Sequence, residues 1–265
     1  MVNATDAFAD GKGYERYMGR WSRMVGEEFL AWLDAPKGAR WLDVGCGNGA
    51  FTEKLIARCA PIAVAAIDPS EGQLAFARTR PGTEIVDFQK AGAQELPFPS
   101  GSFDVAVMAL VISFVPDPPS AVIEMARVVR PGGTLAAYMW DFPAGGVPLQ
   151  PLIEAMKSLG IDAPMPPNTE ASRSDVLQTL WEGAGLESIE VRPIDITVAF
   201  TTFEDFWESN SLSLGPIGKV IEAMSPVAKE ELRVRLRETL PIARDGRIAY
   251  ASRANAIKGR VPNVG

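Results

Sequence analysis

Hydrophobic and polar positions follow two different periods along the first half of the chain, and the switches between them lay out alternating strands and helices. Over 14–33, Tyr14, Tyr17, Met18, Trp21, Met24, Val25, Phe29, Trp32 and Leu33 recur at spacings of three and four, one apolar stripe of a helix. Ala35-Pro36-Lys37-Gly38 ends it. Arg40 to Gly45 reads as a first strand, followed by a helix from about Gly49 to Ala60. Ile62 to Asp68 is an unbroken apolar run closed by an acid, the pattern of a strand buried on both faces. Ser70-Glu71-Gly72-Gln73 has the spacing of a capping box and predicts a helix to about Thr79. Thr83 to Lys90 and the more apolar Asp104 to Ser113 predict strands three and four. Pro118 to Val129 predicts a helix stopped by Arg130-Pro131-Gly132-Gly133, and Thr134 to Trp140 a fifth strand.

Five strands with intervening helices and right-handed crossovers predict an α/β fold, a doubly wound, mostly parallel sheet. After Trp140 the rhythm changes. Phe142 to Asn168 is rich in Pro and Gly with one helix near Pro151 to Ser158, Ser174 to Gly183 is helical, and Leu186 to Phe200 is a long strand. Phe203 to Leu240 is mostly helical with interruptions at Gly215-Pro216 and Pro226, and Arg247 to Lys258 closes the chain as a strand. The expected organisation is an N-terminal helical cap over 1–35, a ligand-binding core over 36–142, and a remainder of the same domain over 143–265. That last part carries helical lid inserts at about 143–170 and 201–240, with Gly145-Gly146 and Gly215-Pro216 as flexible or turning points.

Composition narrows the chemistry. The 265 residues include 26 basic and 33 acidic ones, a formal charge of −7, which argues against a nucleic-acid partner. There is no histidine, so imidazole ligands, imidazole bases and Ser-His-Asp triads are all excluded. The two cysteines, Cys46 and Cys59, match no metal-site spacing, and no metal is expected. The apolar run Val105 to Val115 is too short to span a bilayer, and Met1 to Gly13 lacks the apolar region of a signal peptide. The expectation is a soluble cytoplasmic protein, a monomer or homodimer.

The most informative stretch is Leu42-Asp43-Val44-Gly45-Cys46-Gly47-Asn48-Gly49, at the turn from strand one into the following helix. Alternating glycines let a backbone approach a ligand closely, and the helix start offers free N–H groups. Asp68, at the end of strand two, can accept hydrogen bonds from both hydroxyls of a ribose. Gly45-x-Gly47-x-x-Ala50 also fits a loose dinucleotide fingerprint. However, Asp43 before the first glycine suits a cationic amino group better than a pyrophosphate, and no Tyr-x-x-x-Lys pair is present.

The remaining motifs resemble the class I S-adenosylmethionine-dependent methyltransferases, in particular the small-molecule, ubiquinone/menaquinone-type branch. The resemblance runs from Tyr14 to Leu135. It rests on Asp43 to Gly49, Asp68, Glu95-Leu96-Pro97-Phe98-Pro99-Ser100-Gly101-Ser102-Phe103-Asp104, Val115-Pro116-Asp117-Pro118, and Arg127-Val128-Val129-Arg130-Pro131-Gly132-Gly133. It implies a Rossmann-like fold with a closing antiparallel strand and S-adenosyl-L-methionine as cofactor. Gly45, Cys46, Gly47 and Gly49 would pass beneath its methionine and ribose parts, Asp68 would hold the ribose, and Pro69-Ser70 would wall the adenine. Relatives have Gly-Asp-Ala where this chain has Ala91-Gly92-Ala93. The acid expected at the adenine amino group is therefore missing, with Gln94 as its substitute and the Ala93 N–H still in reach. Leu110 and Val111 would lie near the methionine chain, and Ser113 stands where relatives often carry histidine. The N-terminal segment resembles a helix laid over the cofactor, with Tyr17 against it and Arg23, then Arg20, as candidates for the carboxylate. Packing of the aromatic stripe and a solvated arginine face account for that segment equally well.

By the same resemblance the reaction would be methyl transfer to a small-molecule acceptor at N, O or C, driven largely by positioning and exclusion of water. If the acceptor must lose a proton, the candidate bases are Asp141, Tyr14, Tyr17 or, from the lid, Glu208. Asp141 serves equally as a cap, and a nucleophilic amine or thiolate would need no base. The lid aromatics Phe142, Phe203, Phe206 and Trp207 suggest an apolar acceptor, although core packing also explains them. Two rival readings remain: a nicotinamide-dependent oxidoreductase, and a protein that binds S-adenosylmethionine without catalysis.

Overall fold

The computed structural model describes residues 19–213 and 215–263. The first helix, α1, spans Arg20–Leu33; Tyr14, Arg16, Tyr17 and Met18 lie outside the described residues. Then follow β1 (Arg40–Val44), α2 (Ala50–Cys59), β2 (Ala63–Asp68), α3 (Glu71–Ala77), β3 (Val86–Lys90), β4 (Phe103–Ala109), α4 (Pro118–Val128) and β5 (Val129–Trp140). The second half contains α5 (Gln150–Ser158), α6 (Ser174–Gly183), β6 (Glu187–Phe200), α7 (Phe203–Asn210), α8 (Gly215–Ala223), α9 (Pro226–Thr239) and β7 (Ile248–Arg260). The strands form one seven-stranded sheet in the order β3-β2-β1-β4-β5-β7-β6. β1 to β5 run parallel, and β7 pairs antiparallel with both β5 and β6. No helix among the described residues is long and apolar enough to cross a membrane.

The continuous apolar strands feed two cores, because successive side chains point to opposite faces. Trp41, Val105, Val107, Ala136, Tyr138 and Trp140 join one core with Val25 and Phe29 of α1, Leu55 of α2, Met156 of α5 and Leu232 and Leu236 of α9. Leu42, Val44, Ala106, Met108, Leu135, Ala137 and Met139 join the other, under Val122 and Met125 of α4 and Leu177 and Trp181 of α6. Phe203 and Phe206 of α7 are buried in the first core, so these two aromatics of the expected lid are packing residues.

The end of strand four and the start of strand five move furthest, each for a local reason. Strand four ends at Ala109 rather than Ser113 because Leu110 turns to φ +61°, while its N–H still reaches the Tyr138 carbonyl at 2.8 Å. A short 3₁₀ turn, Ile112–Phe114, follows, and the run is apolar because Ile112 is buried rather than because it is extended. Arg130-Pro131-Gly132-Gly133 does not separate helix from strand. β5 begins at Val129, and the segment bulges, since Phe103 pairs with Val129 but Val105 pairs with Thr134. A Cβ on Gly133 would stand 2.8 Å from the Asp104 carbonyl oxygen, so only glycine fits the bulge. Gly146, expected as a flexible or turning point, closes a fixed turn: its N–H donates to the Asp141 carbonyl at 2.7 Å, and its own carbonyl accepts from the Arg253 N–H at 2.8 Å. Gly215 and Pro226 are the first residues of α8 and α9.

One acid lies inside this core. Asp43 sits on β1 between Ala66 and Val107 of the neighbouring strands, with no solvent exposure. Its Oδ2 accepts from the Thr52 hydroxyl of α2 at 2.6 Å, and its Oδ1 has no partner. Burial pushes its carboxyl up to about 7; the Thr52 hydrogen bond opposes this, and the nearby Asp68 charge adds to it. The folded chain therefore holds a proton that the unfolded chain has released, so stability from this group is greatest at low pH and is lost as pH rises to about 7. Asp43→Asn removes that dependence. Its melting temperature relative to the unsubstituted chain should rise from pH 5 to pH 8, equivalent to about 2–3 kcal/mol. Thermal unfolding across that range checks it, and a constant offset would mean that Asp43 stays ionised in the fold.

Candidate functional site

The loop from β1 into α2 is drawn across the tip of β2, because the Gly45 and Cys46 N–H groups both donate to the Ile67 carbonyl, at 2.8 and 2.9 Å. Its three glycines have different tasks. A Cβ on Gly45 would lie 2.6 Å from the Val111 side chain, and one on Gly49 would lie 3.0 Å from Ala77, so both make room for protein. Gly47, at φ +51°, has nothing within 4 Å of where a Cβ would be. Gly49 is thus a packing residue between the loop and α3, not part of the ligand cradle expected of it. Asp68 ends β2 with Oδ2 accepting from the Gly47 N–H at 3.0 Å and Oδ1 accepting from the Ser70 N–H at 2.8 Å. Burial pushes its carboxyl up, and these two backbone hydrogen bonds act against that. Ser70 caps α3 by accepting from the Gln73 N–H at 3.4 Å.

Above these loops, at the C-terminal ends of β1, β2 and β4, lies a cavity of about 550 Å³, within the usual size of small-molecule sites. Of the residues singled out from sequence, Arg23, Gly45, Cys46, Gly47, Asp68, Pro69, Gly92, Ala93, Gln94 and Leu110 line it, as does Val111. Burial pushes the Cys46 thiol well above its ordinary range, so it is a neutral wall residue.

Other candidates lie elsewhere. Asp43 is beneath the loop, in the core. Arg20 is turned toward β6: its Nη2 donates to the Ala199 carbonyl at 2.7 Å, and its guanidinium stacks 3.9 Å from the centre of the Trp21 ring. It is absent from the cavity wall. Asp141 accepts from the Ala144 N–H at 3.3 Å, closing a turn, and does not line the cavity. Glu208 is exposed on α7 and does not line the cavity. None of the described residues of 143–170 or 201–240 lines it either. Tyr14 and Tyr17 lie outside the described residues. No cluster of metal-ligating side chains occurs among the described residues.

The cavity also gathers residues that the sequence reading passed over: Ser22, Phe51, Lys54, Gln73, Phe114 and Tyr138 among them. Lys54 of α2 pairs with Glu27 of α1, which holds the Glu27 carboxyl below its ordinary range and ties the two helices together. One signal for this end was present. Gly26 sits in the interior of α1, where glycine costs about 1 kcal/mol relative to alanine. A Cβ there would meet the Tyr138 hydroxyl at 3.3 Å and the Phe51 ring at 3.4 Å. Ser22 and Gln73 line the cavity, and the Ser22 hydroxyl and the Gln73 side-chain carbonyl oxygen are buried without a hydrogen-bond partner among the described residues.

Comparisons with known proteins agree with this architecture. Residues 42–137 match the family model described as a methyltransferase domain. The chain is 38% identical over 112 residues to a biotin biosynthesis bifunctional protein, BioHC, of Cellvibrio japonicus, a match covering 42% of this chain and 22% of that one. It is 35% identical over 120 residues to a demethylmenaquinone methyltransferase of Symbiobacterium thermophilum, covering 43% and 47% of the two chains. The chain thus spans less than half the length of these curated relatives. The solved structure of the YcgJ protein from Bacillus subtilis superposes with a TM-score of 0.60 at 18% identity, over 92% of this chain and all of that one. Residues 42–137 resemble a methyltransferase domain, and the sheet that contains them has the Rossmann-like fold of the class I methyltransferases.

Proposed function

We propose that the cavity binds S-adenosylmethionine and that the chain transfers its methyl group to a small-molecule acceptor. The observation that carries this reading is the paired geometry of Gly47 and Asp68, an open backbone cradle held by a carboxylate. The residues fit the cofactor. Each Asp68 oxygen already accepts one backbone N–H and keeps a lone pair for a ribose hydroxyl. Gly47 leaves room where any side chain would intrude. Arg23 is the guanidinium at the wall suited to a carboxylate. A bound sulfonium supplies an electrophilic methyl group, and the chain's task is to orient it and keep water away.

Among the described residues, the titratable side chains on the wall are Arg23, Cys46, Lys54, Asp68 and Tyr138. Asp68 is committed to backbone donors and the ribose, and the Cys46 thiol is held neutral. This set favours an acceptor that brings its own nucleophile, an amine or an already ionised thiol or phenol, over one that must surrender a proton to a buried base. The likeness to a demethylmenaquinone methyltransferase supports a small-molecule acceptor. Methyl transfer from labelled S-adenosylmethionine to a panel of amines, thiols and phenols tests the reaction, and transfer to none of them would leave only the binding reading.

Calorimetry with S-adenosylhomocysteine tests the cofactor. Asp68→Ala should weaken binding by about 2 kcal/mol, the scale of hydrogen bonds to a charged group. Tighter binding of NADH than of S-adenosylhomocysteine would instead establish the oxidoreductase reading. Gly47→Val should abolish binding, because the new side chain fills the cradle. Its unfolding should remain cooperative, and loss of that cooperativity would show Gly47 to be structural. The two arginines should separate cleanly. Arg23→Ala weakens cofactor binding, whereas Arg20→Ala lowers the melting temperature, since Arg20 anchors α1 to β6, and leaves affinity nearly unchanged. The opposite pattern would remove Arg23 from the site.

A further inference from the structure

A loop rich in glycine keeps one shape only where something outside it fixes its peptide groups. Between Gly47 at φ +51° and Gly49 at φ +77°, the Asn48–Gly49 peptide is held on both sides. The Gly49 N–H donates to the Cys46 carbonyl at 2.9 Å, and the Asn48 carbonyl accepts from Arg80 Nε at 2.5 Å. The Asn48 side chain serves α2 instead, its Oδ1 accepting from the Ala50 N–H at 3.1 Å. Arg80 stands just past α3 in a fixed turn: its own N–H donates to the Ala77 carbonyl at 3.1 Å, and its carbonyl accepts from the Thr83 hydroxyl at 2.8 Å. From there its side chain crosses to the loop, with Cδ 3.3 Å from where a Cβ on Gly49 would be, and Nη1 donates to Glu53 of α2 at 2.8 Å. Asn48 lines the cavity, and Arg80 does not.

We infer that Arg80 is a positioning residue: by holding the Asn48 carbonyl it keeps Gly47 open toward the cavity, so that cofactor affinity depends on a side chain outside the cavity wall. The effect on the cofactor rests on the reading above, whereas the hold on the loop does not. The Arg80 side chain is 12% exposed, so its guanidinium gives up much of its water, and an ion pair with the 41% exposed Glu53 returns little of that loss. The carbonyl it meets belongs to a residue only 4% exposed, where a charge-assisted hydrogen bond outweighs a neutral one. The cradle is thereby stretched between two supports: Asp68 at the tip of β2 takes the Gly47 N–H, and Arg80 after α3 takes the next carbonyl along. Without Arg80 the glycines on either side allow the Asn48–Gly49 peptide to rotate, and part of the binding energy is then spent on reordering the loop.

The test measures calorimetric affinity for S-adenosylhomocysteine, thermal melting, and hydrogen exchange over residues 45–49 without ligand, for the unsubstituted chain, Arg80→Met, Arg80→Lys and Glu53→Gln. Methionine keeps the stem and loses every donor, lysine keeps one charged donor, and Glu53→Gln removes the ion pair while leaving Arg80 on the carbonyl. Arg80→Met should weaken binding by about tenfold and quicken exchange over 45–49 by about as much. Glu53→Gln should stay within about twofold on both readings, and Arg80→Lys should fall between, about threefold weaker. A merely structural arginine would lower the melting temperature of Arg80→Met and leave its affinity unchanged. That result, or an equal loss of affinity in Glu53→Gln, overturns the assignment. Should Arg80→Met fail to melt cooperatively, Arg80→Lys decides, and affinity and exchange equal to those of the unsubstituted chain would overturn it. If the unsubstituted chain does not bind S-adenosylhomocysteine, the cofactor reading falls separately, and the exchange of the loop alone decides whether Arg80 holds it.

Discussion

The geometry of the cavity depends on one carboxylate. At the tip of β2, Asp68 accepts from the Gly47 N–H on one oxygen and from the Ser70 N–H on the other, joining the loop after β1 to the start of α3. Removing a carboxylate from water is costly, and burial does push this one upward; the two backbone donors offset part of that cost. Because the donors come from two different loops, their relative placement is fixed by the same bond pair. The β1 loop is also fixed from below, where Gly45 and Cys46 share the Ile67 carbonyl. Gly47 therefore presents its open face from a rigid support rather than from a mobile loop, the condition for a preorganised site.

The parallel core was legible because burial on both faces leaves a simple trace, a run of apolar residues ended by an acid or a glycine. β1, β2, α2, α4 and α6 fall within a residue or two of their predicted limits for that reason. What the pattern concealed was backbone direction inside apolar or glycine-rich runs. Leu110 is as hydrophobic as its neighbours, yet its positive φ ends β4, and nothing in the composition of Leu110 to Phe114 distinguishes a buried turn from a buried strand. Gly133 and Gly146 were read as punctuation because glycine permits turns. In the fold each is required by a carbonyl oxygen that leaves no space for a Cβ, Asp104 for the first and Arg253 for the second.

The site divides along the same line. Residues contiguous with a motif were found from sequence, since a strand-to-helix turn places its own backbone at the sheet's C-terminal edge. Ser22, Lys54, Gln73 and Tyr138 come from four separate elements and share no spacing, so only tertiary packing brings them together. Arg20 and Arg23 illustrate the difficulty. Three residues apart on one helix, they are chemically equal candidates, and the choice between them depends on where the Ala199 carbonyl lies, 179 positions along the chain from Arg20.

That contact explains what the second half of the chain does, even though none of its described residues lines the cavity. β6 and β7 extend the sheet beyond β5 and supply the surface on which α1 rests. Arg20 is bonded to Ala199 of β6, the Trp21 ring meets Phe200 edge-on at 5.6 Å, and Lys258 of β7 donates to the Trp32 carbonyl at 3.3 Å and lies 4.6 Å from that ring's centre. Both ends of α1 are thereby attached to the antiparallel pair, while its middle reaches α2 through Glu27 and Lys54. The same helix presents Ser22 and Arg23 to the cavity. A parallel core ending at β5 would keep the glycine loop and Asp68 but would hold α1 only against α2 and the Tyr138 ring of β5. The two antiparallel strands complete the site by fixing the helix that covers it.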